Sequence, residues 1–191
     1  MNVLVLGGTR SGKSLVAEQI AAARAGDLPV TYAATLVPDP TDGDIAQRLL
    51  SHQERRPANW RTIECLAPTD LIDALLGAPS PVIVDSLGSW LGAAVPWNDS
   101  KEQIGIAVDE LSRRLVDTLR HRKRTGATTV LVSDEVGLSV HPPTQVGRLF
   151  ADALGTLNRR TAEVCDDVLL VVAGRVALLE TFDAQRWSDS R

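Results

Sequence analysis

Eight consecutive residues, Gly7-Gly8-Thr9-Arg10-Ser11-Gly12-Lys13-Ser14, carry the clearest chemical signal in the chain. Their spacing is G-x-x-x-x-G-K-[ST], the P-loop pattern, in which glycines let the backbone curl so that successive N–H groups point at phosphate oxygens. A helix beginning at the end of that turn adds the positive end of its dipole. Lys13 is then expected to reach the β- and γ-phosphates of a nucleoside triphosphate, and the Ser14 hydroxyl to ligate Mg²⁺. A magnesium site of this kind needs a further acid at the C-terminal edge of a nearby parallel strand, where the ligands of such sheets bind. Asp85, closing the run Val82-Ile83-Val84, is the natural choice. Glu135, following Val130-Leu131-Val132, is the other candidate acid, as a base or a supporting group.

A histidine supplies different chemistry. His52 shares one face of a helical pattern with Ile45 and Leu49, which by itself suits a partly buried structural residue. Arg48, Arg55, Arg56 and Arg61 surround it, and Trp60 and Glu64 follow. Arginines neutralise phosphates and an imidazole can attack phosphorus, so the cluster suits a nucleotide site. His121 belongs to the basic run Arg120, Arg122, Lys123 and Arg124, which suits a helix C-terminus better than a phosphate lid. His141, ahead of Pro142-Pro143, reads as structural or solvated.

The elements that must position these groups alternate along the chain. Asn2–Leu6 reads as a buried strand, followed by the glycine turn and a helix from about Lys13 to Arg24. Strands are predicted at Val30–Ala34, Arg61–Glu64, Pro81–Asp85 and Thr128–Ser133, and helices at Asp44–Glu54, Asp70–Leu76, Gln103–Arg124 and Thr144–Cys165. The long helix from Gln103 carries an apolar stripe of Ile104, Val108, Leu111, Leu115 and Leu119. Val168–Val172 and Val176–Leu179 flank Ala173-Gly174-Arg175, a hairpin turn. The expected fold is α/β: a P-loop NTPase-like, mostly parallel sheet flanked by helices, with an antiparallel C-terminal edge strand and a single domain over residues 1–191.

Composition narrows the function classes. With 191 residues, 44% apolar and 23% charged, the chain has an ordinary globular composition. A formal charge of −4 argues against general nucleic-acid binding. Cys65 and Cys165 form no Cys-x-x-Cys pair, so neither a zinc site nor a disulfide framework is expected. Val3–Leu6 is too short for a secretory leader and no apolar run reaches membrane-helix length, so a cytoplasmic location is expected. No Asn precedes Lys13, Lys101 or Lys123 in an Asn-Lys-x-Asp guanine-reading motif, which disfavours a regulatory GTPase.

Several blocks together resemble one family, the bifunctional adenosylcobinamide kinase/adenosylcobinamide-phosphate guanylyltransferases of cobalamin biosynthesis. Residues 7–14 are similar to that family's P-loop, and Tyr32-Ala33-Ala34-Thr35 to its second strand. Arg48, His52, Arg56-Pro57, Trp60, Thr62 and Glu64 resemble its R-x₃-H-x₃-R-P-x₂-W-x-T-x-E block. Val132-Ser133-Asp134-Glu135-Val136-Gly137 resembles its V-S-N-E-V-G element, and a similar helix with Leu157-Asn158 follows. The blocks run in order through nearly the whole chain.

The resemblance implies two reactions. A nucleoside triphosphate, ATP or GTP, phosphorylates the hydroxyl of adenosylcobinamide. GTP then guanylylates His52 with loss of pyrophosphate, and the GMP passes to adenosylcobinamide phosphate to give adenosylcobinamide-GDP. It also implies nucleotide contacts at Gly7 to Ser14, at Ala34, Thr35 and Leu36, at Gln53, Glu54, Arg55 and Arg56, and at Glu64 and Asp85, with Mg²⁺ at Ser14 and Asp85. A homotrimer is implied too. Leu36, Gln53 and Glu54 are unusual types at their positions, Asp134 stands where Asn is usual, and Ser139 where Gly is common. Two other readings compete: a monofunctional P-loop kinase, which has no need of His52, and a non-catalytic nucleotide-binding module.

Overall fold

The computed structural model describes residues 1–36, 56–138, 140 and 142–182. The expected helix over 44–54, His52 included, lies outside them, as do Ser139 and His141. Seven strands form one sheet: β1 (Asn2–Gly7), β2 (Thr31–Ala34), β3 (Arg61–Glu64), β4 (Val82–Asp85), β5 (Thr129–Asp134), β6 (Asp167–Val172) and β7 (Arg175–Leu178). Among the described residues the helices are α1 (Lys13–Ala25), α2 (Asp70–Gly77), α3 (Leu87–Ala94), α4 (Lys101–Arg124) and α5 (Gln145–Ala162).

The sheet order is β3-β2-β4-β5-β1-β6-β7, parallel throughout except for the antiparallel pair β6–β7. That pair is the antiparallel edge expected from the sequence. Its turn, Ala173-Gly174, has positive φ at both positions (50° and 72°), the hairpin geometry whose twist matches the flanking strands. The central strands β1, β4 and β5 are buried on both faces and read as unbroken apolar runs for that reason.

Alternation along the strands divides the core in two. Val3, Val5, Tyr32, Ile83, Val130 and Val132 face α1, which meets them through Ala17, Ala21 and Ala25. These small residues recur every four positions, so the helix lies close against the sheet. Leu4, Leu6, Val82, Val84 and Leu131 face the other way, under α2 to α5. The predicted stripe of α4, from Ile104 to Leu119, is buried there.

The basic run closing α4 is structural, as its position at a helix C-terminus led us to expect. Arg122 is buried, and its guanidinium donates to the carbonyl oxygens of Leu75 and Ala78 and to Thr129 Oγ1 (2.9 Å). It thereby closes the C-terminal end of α2 and ties it to β5. Lys123 pairs with Asp166 at 2.6 Å, and Arg120 with Asp117 at 3.3 Å. Among the described residues, one element was not read from the sequence: α3, whose residues Leu87, Gly88, Trp90 and Leu91 are buried. Its N-cap is Ser86, which accepts a hydrogen bond from Ser89 N at 3.3 Å.

Candidate active site

The phosphate loop joins β1 to α1, the strand-turn-helix context its mechanism requires. Two glycines are demanded by geometry. A Cβ on Gly7 would lie 2.5 Å from Ser11 Oγ and 2.7 Å from the carbonyl oxygen of Val171. Gly12, the N-cap of α1, has φ 97°, a conformation that L side chains adopt only under strain. The curl is held by Ser11 N donating to Gly8 O (3.2 Å) and Lys13 N to Ser11 Oγ (3.4 Å). The edge hairpin braces it from outside: Gly174 N donates to Ser11 O at 2.8 Å.

A cleft opens at the C-terminal edge of the sheet, where parallel strands present their ligand site. Lys13 and Ser14 line it from α1, Ala34 and Leu36 from the end of β2, Asp85 and Asp134 from the ends of β4 and β5, and Arg56 from the segment before β3. Six of the expected site residues therefore meet around one space: Lys13, Ser14, Ala34, Leu36, Arg56 and Asp85. Gln53, Glu54, Arg55 and His52 lie outside the described residues. Thr35 is buried behind the wall, where its hydroxyl donates to Ser86 O (2.6 Å) and accepts from Ser86 N (2.7 Å). Glu64 ends β3 at the sheet edge, exposed, in register with Ala34.

Among the described residues, three contacts involving charged side chains shape the cleft. Tyr32 Oη donates to Asp85 Oδ2 at 2.6 Å. Burial, reinforced by the neighbouring Asp85 charge, pushes the Tyr32 phenol far above its usual range, so it remains a donor at neutral pH. The Arg56 guanidinium stacks on the Tyr32 ring, with Cζ 3.5 Å from its centroid, and donates to Thr62 Oγ1 at 3.1 Å. Lys13 Nζ contacts Asp134 Oδ1 at 2.8 Å and Gly8 O at 3.2 Å.

Glu135, the other acid considered from the sequence, is used locally. Its Oε1 accepts from Gly137 N at 2.7 Å, and its own N–H donates to Gly7 O at 3.1 Å. Its neighbour Asp134 takes the place in the cleft. The sequence marks Asp134 only as standing where Asn is usual in the family it resembles, not as the partner of Lys13. The signal was present in the period-two pattern of β5: Val130 and Val132 face α1, and Asp134 falls on the same side. Tyr32, Ser86 and Ser89 also line the cleft and were missed as site residues.

The donors fit a magnesium ion as the residue types suggest. Ser14 supplies a hydroxyl and Asp85 a carboxylate, hard oxygen ligands of the kind Mg²⁺ takes in small number alongside substrate phosphates and water.

Comparison with known proteins agrees with this architecture. Among solved structures, the ATPase domain of G40P superposes with a TM-score of 0.51 at 14% identity, covering 88% of this chain and 68% of that one. The flagellar accessory protein FlaH from Methanocaldococcus jannaschii gives 0.50 at 11% identity, covering 94% and 77%. Those likenesses concern the fold alone. Sequence relatives reach further. The bifunctional adenosylcobalamin biosynthesis proteins CobP of Pseudomonas aeruginosa and CobU of Salmonella typhimurium are each 36% identical. The alignments span 91% of this chain and 94% and 97% of those proteins. CobU of Escherichia coli is 33% identical with the same 91% and 97% coverage. The sequence model of the CobU family, cobinamide kinase / cobinamide phosphate guanyltransferase, matches residues 3–179, and the chain belongs to that family.

Proposed function

We propose that the protein phosphorylates adenosylcobinamide with ATP or GTP and then, through a GMP-histidine intermediate on His52, transfers GMP to give adenosylcobinamide-GDP. The observation that carries the reading is the convergence of Lys13, Ser14, Asp85 and Arg56 on one cleft, Arg56 being four residues after His52 in the sequence. Family membership supplies the substrate class. In the first reaction the corrinoid hydroxyl attacks the γ-phosphorus. The bond from that phosphorus to the β–γ bridging oxygen breaks, the nucleoside diphosphate leaves, and the hydroxyl proton is released. In the second, a neutral imidazole nitrogen attacks the α-phosphorus of GTP and pyrophosphate leaves. A phosphate oxygen of adenosylcobinamide phosphate then displaces the histidine.

The chain's residues have separable tasks. Lys13 offers a positive charge to the β- and γ-phosphates, and the start of α1 offers backbone N–H groups. Arg56, already held over the Tyr32 ring, offers a preorganised cation to the same cleft. Mg²⁺, held by Ser14 and Asp85, would neutralise charge on the phosphate oxygens. In this reading a homotrimer is the working assembly and the cytoplasm the working compartment.

Labelling with α-³²P-GTP and Mg²⁺ in the absence of corrinoid tests the reading. Label is expected on His52, lost in dilute acid, stable in alkali, and absent with γ-³²P-GTP, because protonating the ring nitrogen makes it a leaving group. His52→Ala is expected to abolish labelling and guanylyl transfer while retaining kinase activity. Persistent labelling of His52→Ala, or an acid-stable bond, would move the nucleophile to another residue. An unlabelled wild-type enzyme that still phosphorylates cobinamide would favour the monofunctional kinase.

A further inference from the structure

Lys13 has only 12% of its side chain exposed, and it pairs with Asp134 Oδ1 at 2.8 Å. Asp134 is well anchored. Its carbonyl accepts from Asn158 Nδ2 at 3.0 Å, Asn158 in turn accepts from Ser133 Oγ at 2.6 Å, and β5 fixes it in register with Gly7. Its other carboxylate oxygen sits against α3, so close that a Cβ on Gly88 would lie 2.9 Å from Oδ2. The carboxylate is thus held in the cleft both by the strand beneath it and by the helix beside it.

This arrangement has a consequence for ligand binding. A triphosphate placed in the loop needs the Lys13 ammonium for its β- and γ-oxygens. Lys13 cannot serve the phosphates and keep Asp134 fully paired, so the carboxylate would stand beside several negative charges within a partly desolvated cleft. Like charges at such range repel strongly where the effective dielectric is well below that of water. A divalent cation arriving with the nucleotide offsets that repulsion, and the free nucleotide meets it in full.

We propose that Asp134 is the counter-ion that Lys13 exchanges for the triphosphate, and that it makes nucleotide binding conditional on a divalent cation. The inference rests on the nucleotide-site reading above. Asp134 is a positioning residue: before nucleotide binds it holds Lys13 in place, and on binding it disfavours nucleotide that comes without metal. In thermodynamic terms it increases the coupling between metal and nucleotide, a quantity that is reciprocal and measurable from either ligand.

The test is the dissociation constant of the α,β-methylene analogue of GTP, which cannot guanylylate the protein. It is measured by calorimetry at fixed ionic strength, with Mg²⁺ and with EDTA, for wild type, Asp134→Asn and Asp134→Ser. The Asn variant keeps the side-chain shape, and the Ser variant serves if Asn disturbs folding. Both variants are expected to bind about tenfold more tightly than wild type in EDTA and within about threefold of it with Mg²⁺, so that the metal dependence shrinks about tenfold. An unchanged ratio between the two conditions would overturn the inference and leave the nucleotide site intact. Weaker binding of both variants in Mg²⁺ would also overturn it, making Asp134 a support of the metal instead. Failure of the wild type to bind the analogue with Mg²⁺ would overturn the nucleotide-site reading itself.

Discussion

The Tyr32 hydroxyl and the Asp85 carboxylate share a 2.6 Å hydrogen bond that joins β2 to the C-terminal end of β4 at the floor of the cleft. Tyr32 is buried, its ring is covered by the Arg56 guanidinium, and burial holds its phenol protonated. One oxygen of the proposed metal-binding carboxylate is therefore fixed by a donor that does not titrate near neutral pH.

Tyr32→Phe removes that donor and keeps the ring on which Arg56 stacks. The Mg²⁺ concentration for half-maximal turnover is expected to rise by roughly three- to tenfold, while metal-free nucleotide affinity stays unchanged. Asp85→Asn keeps the shape and loses the charge, so turnover is expected to fall about a hundredfold or more. A magnesium titration of both variants separates the cases. An unaltered dependence in Asp85→Asn would place the metal on another carboxylate.

Gly7→Ala tests the loop without touching any charge. The added methyl meets the Val171 carbonyl oxygen at 2.7 Å and Ser11 Oγ at 2.5 Å, and backbone cannot step aside as a flexible side chain can. The loop must shift, and Ser11 also carries the brace from Gly174. Nucleotide affinity is expected to fall at least about tenfold, with thermal stability lowered by a few degrees. Equilibrium binding and a thermal melt read the two effects.

Much of this was legible in the sequence because the signals are local. The P-loop spacing, the carboxylate closing Val82-Ile83-Val84 and the stripe of α4 each lie within one element. What escaped depends on neighbours that are distant in sequence. Helix α3 has two glycines and no polar face, so neither propensity nor periodicity marks it; burial of Trp90 and the Ser86 cap make it helical. The Lys13–Asp134 contact requires β1 and β5 to be adjacent in the sheet, and sequence order does not give strand order. The stacking of Arg56 on Tyr32 likewise needs the β2–β3 pairing that brings the two segments side by side.

Arg122→Ala should act on stability alone. The guanidinium holds the carbonyl oxygens of Leu75 and Ala78 together with Thr129 Oγ1, so its loss leaves buried acceptors at the end of α2 without their donor. A loss of about 3 kcal/mol is expected in urea unfolding, at unchanged nucleotide affinity. Arg122→Lys should recover little of it, because one ammonium cannot reproduce a planar fork that reaches two elements. Full rescue by lysine would show that charge alone matters there.

Lys13→Ala decides whether one loop serves both reactions. Its ammonium lies at the foot of the cleft that Ser14, Asp85 and Arg56 also line, and among the described residues no second strand-turn-helix carries the G-x-x-x-x-G-K-[ST] spacing. If both triphosphates bind in this loop, cobinamide phosphorylation and His52 guanylylation must each lose the same transition-state charge partner. Both are expected to fall about a hundredfold or more. His52→Ala supplies the contrast, since it removes a nucleophile needed only for guanylyl transfer. Assaying the two half-reactions separately in both variants therefore gives a two-by-two pattern: Lys13→Ala depressed in both columns, His52→Ala in one. Retention of guanylylation by Lys13→Ala would require a second triphosphate site, and the arginines around His52 would be the place to seek it.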